Sequence, residues 1–225
     1  MGQGISEVLT YAIGVAISPI PIIAVILMLL SRRARVNGPA FLAGWLLGLA
    51  IVSAVVYAIA NQSDAATNSS TSDSISWGKI ALGVVFLWLA LRNWRHRPAP
   101  VAAPEMPKWM TSIDSFAPGK ALGLGVLLSA VNPKNLVLTV GAAAGVAQLG
   151  ISTGDAVVSL VVFVAVASIG IAGPVVYYVL GGQRAETQLD ALKSWLTVHN
   201  VAVMIVLFLV LGGDLIAKGL APLTT

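Results

Sequence analysis

The sequence predicts an all-α, polytopic membrane protein of six transmembrane helices, arranged as two inverted repeats of three. Three observations carry this. The chain has 225 residues, 57% of them hydrophobic and only 10% charged, too little charge to cover a soluble domain of this size. Its apolar residues gather into runs long enough to span a bilayer. Its basic residues fall in alternate breaks between those runs.

The runs are residues 5–30, 38–60, 75–91, 120–148, 155–180 and 196–217. No Lys or Arg precedes the first, and it outlasts a signal-peptide apolar core of about 7–15 residues, so it is expected to remain in the mature protein. The first break, Ser31 to Gly38, holds Arg32, Arg33, Arg35 and Asn37. The second, Asn61 to Ser76, is rich in Ser, Thr, Asn and Asp and has no base. The third, Arg92 to Lys120, is basic and carries Pro98, Pro100, Pro104, Pro107 and Pro118. It reads as an irregular linker, with Trp94 and Trp109 as interfacial anchors. The fourth, Gly150 to Asp155, is short and base-free, and the fifth, Gly181 to Ser194, holds Arg184 and Lys193. Within the fifth, Ala185 to Trp195 has helical periodicity with Leu189, Leu192 and Trp195 on one side, the pattern of a short interfacial helix.

Ten of the thirteen Lys and Arg residues lie in the first, third and fifth breaks. The positive-inside rule places those loops in the cytoplasm of a bacterial inner membrane and both termini outside. The basic pI is therefore topological and does not argue for nucleic acid. Lys79 and Lys218 fall near outer helix ends, where lysines snorkel. The chain divides into a first three-helix repeat (1–91), the basic Pro-rich linker (92–119) and a second repeat (120–225). An odd number of spans per repeat inverts the second relative to the first, the plan of many transporters.

The first and fourth runs are interrupted near their middles, by Ser18-Pro19-Ile20-Pro21 and by Asn132-Pro133-Lys134-Asn135. A proline inside a helix removes a donor and clashes with the carbonyl one turn back. In hydrocarbon such breaks persist where protein or a polar cavity covers the freed groups. Lys134 lies about 14 residues into its run, roughly 21 Å at 1.5 Å per residue, near the midplane. A lysine there costs about 2.5–3.5 kcal/mol even on insertion scales, and needs a partner, a cavity or an anionic ligand. Asp214 is the one acid inside the later runs. Ser53, Ser129, Thr139, Ser159 and Ser168 are expected to bond their own helix backbones. The pairs Gly44/Gly48 and Gly141/Gly145 are spaced for close helix packing, and Gly173-Pro174 is expected to kink the fifth span.

Several chemistries are absent. There is no cysteine, which removes thiolate metal sites and thiol redox chemistry. No HExxH, P-loop or GxSxG motif occurs, and His96 and His199 have no metal-ligand spacing. The chain is expected not to be an enzyme, to need no cofactor, and to rely on a gradient, a partner or downhill flow for any transport.

Two segments, GVAISPIPIIAVILMLLSRRARVNGPAFLAGW and LLSAVNPKNLVLTVGAAAGVA, resemble the lysine exporter (LysE) superfamily. More closely they resemble its branch of mycobacterial glycopeptidolipid-addressing and sulfolipid-addressing proteins, the GAP family, over nearly the whole chain. The resemblance implies two inverted three-helix repeats and a part in export of actinobacterial cell-envelope glycolipids. It carries the substrate site over as Ser18, Pro19, Pro21, Asn132, Pro133, Lys134 and Asn135. It matches Arg33, Arg35, Asn37 and Gly38 to a first loop that would hold the cytoplasmic gate. The expected function is an inner-membrane translocase of a lipid or glycolipid, working as a homo-oligomer or with lipid-export machinery. An amino-acid-type exporter and a non-transporting scaffold of an export complex are the alternatives. Single cysteines at Ser69 and at Ala102 should react with an impermeant thiol reagent from opposite sides of intact cells; reaction of both from outside would overturn the topology.

Overall fold

A computed structural model describes residues 2–67, 77–96, 113 and 116–221, and among these the chain is helical, with no strand. The helices are α1 (Gly2–Ala16), α2 (Pro19–Leu29), α3 (Ala34–Thr67), α4 (Trp77–Arg95), α5 (Pro118–Val126), α6 (Pro133–Ala147), α7 (Thr153–Ala167) and α8 (Ile169–Leu220). A single π turn, Leu127–Val131, joins α5 to the break before α6. In α3, residues 34–62 are long and apolar enough to cross a membrane, as are residues 184–220 of α8. Three bent pairs qualify when each is taken as one span, giving up to five. These pairs are α1–α2, bent by 56°, α5–α6, bent by 62°, and α7 with the first part of α8, bent by 56°. Helix α4 has 19 residues and includes Lys79, Arg92 and Arg95.

The two proline interruptions break their helices, and by the same mechanism. The residue before a proline is driven out of the α region by the proline ring. Ser18, before Pro19, has φ −116° and ψ 96°, and Asn132, before Pro133, has φ −58° and ψ 118°. Each proline then opens the next helix at its first position, where the missing N–H costs nothing.

Gly173-Pro174 behaves differently from expectation. Pro174 lies inside α8, and the bend falls upstream at Ser168, between α7 and α8. A close approach occupies that corner: a Cβ built on Gly170 would lie 2.1 Å from the carbonyl oxygen of Ala16. The bend therefore sits where the start of α8 meets the end of α1. The fifth break is also helical, interrupted at Gly182, whose φ of 55° and ψ of −139° suit glycine. The expected interfacial helix is the beginning of the segment 184–220, and its buried face is Ala185, Leu189 and Leu196, while Leu192 and Trp195 are exposed. The linker assigned to 92–119, with Trp109 and four of its prolines, falls mostly outside the described residues.

The core is apolar and centred on α1, α2, α3 and α6, with Tyr11, Ile26, Phe41, Trp45 and Leu138 fully or almost fully buried. Large apolar side chains also face outward on every long helix, Ile51, Val55 and Ile59 on α3 and Val198, Val206 and Val210 on α8 among them. A surface so rich in exposed apolar residues suits hydrocarbon rather than water. The four expected self-bonds of Ser129, Thr139, Ser159 and Ser168 all form. Ser53 differs: its buried hydroxyl has no partner among the described residues.

Both glycine pairs lie at helix contacts within the chain. A Cβ on Gly44 would come 2.0 Å from the Leu122 carbonyl oxygen, and one on Gly125 would come 2.2 Å from that of Phe41. Helices α3 and α5 thus touch backbone to backbone. Helix α6 runs along α1 in the opposite sense: Gly14 lies on Leu138, Gly141 on Tyr11 and Gly145 on Glu7. Gly125→Val should lower the thermal stability measured in detergent by about 1–3 kcal/mol or more, the cost of overpacking. Gly123→Val, two residues away and facing open space, should be nearly neutral; equal effects would contradict the packing.

Candidate ligand site at two helix breaks

The breaks after Ala16 and Val131 meet. Asn135, fully buried, links them: its amide Nδ2 donates to the Leu128 carbonyl at 3.0 Å, and its Oδ1 lies 2.9 Å from the Ser18 hydroxyl. That hydroxyl also lies 2.7 Å from the Val15 carbonyl, and its one proton serves a single acceptor at a time. The π turn explains why Leu128 needs Asn135. Asn132 N donates to Leu127 O, five residues back, at 3.2 Å, which leaves the Leu128 carbonyl without a helical donor. The Asn132 side chain turns forward and caps α6, accepting from the Lys134 backbone N–H at 3.1 Å.

Lys134 crosses to the other break. Its ammonium donates to the carbonyls of Gly14 at 2.7 Å and Ile17 at 3.0 Å. Those oxygens belong to the C-terminal end of α1, where a cation also complements the helix dipole. Asp214, the partner weighed from the sequence, instead pairs with Lys218 at 3.0 Å. Lys79 pairs with Glu7, also at 3.0 Å. An ammonium has three N–H donors, and the two carbonyls leave Lys134 one.

Lys134 also lines a cavity of about 220 Å³, together with Ser18, Pro21, Asn93, Asn132 and Asn200 among others. Pro19 also lines it, whereas Pro133 and Asn135 do not: Pro133 is exposed, and Asn135 lies behind the site as its brace. Asn93 and Asn200 were not anticipated. Each is a lone amide near the end of an apolar run, beside a basic segment, and only the fold shows that the two face one space. The Asn200 Oδ1 is buried and has no partner among the described residues.

The first-loop residues separate into two sets. Arg33 and Arg35 are exposed. Asn37 is fully buried and its Nδ2 donates to the Phe116 carbonyl at 3.0 Å, tying the start of α3 to the chain entering α5. Gly38 is buried beneath Leu29, whose Cδ2 would lie 2.4 Å from an added Cβ. Among the described residues no group of three or more His, Asp or Glu side chains could hold a metal ion.

These features define a helical membrane protein with broken helices around a small polar cavity. Residues 8–221 match the family model of Sap, the sulfolipid-1-addressing protein, and the chain belongs to that family. No curated protein and no solved structure is significantly similar to it.

Proposed function

We propose that the protein is a translocase of a cell-envelope lipid or glycolipid, not an enzyme, and that the cavity at the two breaks receives the head group. The observation that carries this reading is Lys134: a cationic side chain in the first turn of α6, held by two backbone carbonyls of the other break and lining the cavity. The N-termini of α2 and α6 open at the same place, and helix N-termini favour anions. Acyl chains would stay in the bilayer. The family's name, which specifies a sulfolipid, supports a lipid cargo.

In this reading α4 is the sixth span, and the halves are inverted repeats. Reciprocal packing supports it: α1 of the first half lies against α7 of the second, and α5 of the second lies against α3 of the first. The cavity then lies toward the cytoplasm, because Asn93 and Asn200 adjoin the basic third and fifth segments. Asn37 and Gly38 would act as a fixed hinge beside the cytoplasmic gate, with Arg33 and Arg35 at its surface.

An exporter of amino acids needs an acceptor for the ammonium group, and among the described residues no Asp or Glu lines the cavity. That favours the lipid. The test is reconstitution into liposomes, with a labelled anionic glycolipid or phospholipid and a labelled amino acid followed in parallel. Lys134→Ala loses two charge-assisted hydrogen bonds, worth about 1.5–3 kcal/mol each. It also loses the insertion cost of a mid-membrane lysine, about 2.5–3.5 kcal/mol. Stability should therefore fall by only about 1–2 kcal/mol while lipid transport is lost, and Lys134→Arg should retain part of it. Full lipid transport by a stable Lys134→Ala, or transport of the amino acid alone, would defeat the proposal.

A further inference from the structure

A second space opens along α6, beyond the cavity at its N-terminus. Helix α4 packs on α8, and α6 packs on α1 and α3. Between α4 and α6 a cleft of about 510 Å³ remains, lined by Leu82 of α4, by Leu136, Val137, Val140 and Ala144 of α6, and by Lys79 and Gln148 at one end. The lining of α6 runs from Leu136 to Gln148, about 18 Å at 1.5 Å per residue, over half of a hydrocarbon core of about 30 Å. Val137, Gly141, Ala144 and Gln148 succeed Lys134 at spacings of three and four, so the cleft follows the side of α6 on which Lys134 lies.

The polar end is built. The Lys79 ammonium is held 3.0 Å from the Glu7 carboxylate, and both side chains are mostly buried, 25% and 12% exposed. Glu7 is itself seated on Gly145 of α6, where a Cβ would come within 2.6 Å of its Oε1. The ion pair with Glu7 holds the ammonium at the mouth of a mostly apolar trough. A neutral lipid tail suits the walls, and an anionic group suits the end.

We propose that this cleft is a second ligand site, holding one anionic membrane amphiphile with its chain along α6 and its head group on Lys79. The site rests on the lipid reading above and extends it, since α6 then joins the Lys134 cavity at its N-terminus to an exit groove along its length. Glu7 is a positioning residue that competes with the ligand for the same ammonium.

A photoactivatable phosphatidylglycerol with the reactive group in its acyl chain, incorporated into proteoliposomes, tests this, with the phosphatidylcholine analogue as comparison. The trough between α3 and α7, about 430 Å³ and lined by Leu46, Ala50, Ser53, Val157, Val161 and neighbours with no charged residue, is the internal control. Phosphatidylglycerol should label 136–148 and Leu82 several-fold more than the control trough, whereas phosphatidylcholine should label the two alike. Glu7→Gln should raise phosphatidylglycerol labelling by freeing Lys79, and Glu7→Gln combined with Lys79→Gln, which strands no charge, should abolish the preference. Lys134→Ala should leave the labelling unchanged, so the groove and the head-group cavity stand or fall separately. Equal labelling of both troughs by both lipids, the pattern of annular lipid only, would overturn the proposal, as would a preference that survives the double substitution.

Discussion

In hydrocarbon a carbonyl that loses its helical donor must find another, and at the end of α1 the donor is the ammonium of Lys134. The arrangement is reciprocal. The α1 break supplies acceptors that make a buried lysine tolerable, and the lysine supplies donors that make the break tolerable. Asn135 extends the exchange one turn further, serving the Leu128 carbonyl on one side and the Ser18 hydroxyl on the other. Neither interrupted helix satisfies its backbone alone, so the halves of the chain are bound to each other at the point where each is weakest.

Close packing makes that exchange geometrically possible. Lys134 reaches Gly14 and Ile17 because α6 lies directly on α1, and Gly14, Gly141 and Gly145 set the approach. On the far side Gly170 admits the Ala16 carbonyl, and Gly44 and Gly125 join α3 to α5. Small residues thus bring backbones together, and the few polar side chains between them are consumed in structure. Among the described residues the exceptions are few: the Ser53 hydroxyl, the Trp45 indole N–H and an amide oxygen each of Asn37 and Asn200 lack a hydrogen-bond partner, and of these only Asn200 lines the cavity beside Lys134. In the proposed reading, that cavity is where a head group would be recognised.

Much of this was legible from residue order. Proline after Ser18 and after Asn132 predicts broken helices, because the cost to the preceding residue is local and independent of fold. The all-helical character follows from apolar runs that have no other way to satisfy their backbone. The glycine pairs signalled close contact without naming the partner. Other features depend on tertiary placement. Lys134 is bonded to carbonyls 117 and 120 residues away, and a carbonyl leaves no mark in a sequence, so attention went to Asp214, which pairs locally with Lys218. Gly173-Pro174 signals a kink in the sequence, but the 56° bend falls at Ser168, beside the close approach of Gly170 to the Ala16 carbonyl, a tertiary contact that residue order does not show. The fifth and sixth runs are separate helices that meet at Gly182, within the predicted break; the charges there conceal only that the helix from Arg184 continues unbroken into the sixth run.

The central claim is that the charge at position 134 stands in a water-accessible cavity and is used in transport. The chain has no cysteine, so Lys134→Cys places a single thiol there. Aminoethyl methanethiosulfonate converts that thiol to a mixed disulfide ending in an ammonium, close in length to the lost lysine. The account predicts that the reagent reacts from the side bearing the basic loops and restores lipid transport to the inactive variant. A neutral methyl analogue should react without restoring it. A thiol unreactive from either side, or a variant whose transport is indifferent to the added charge, would contradict the account.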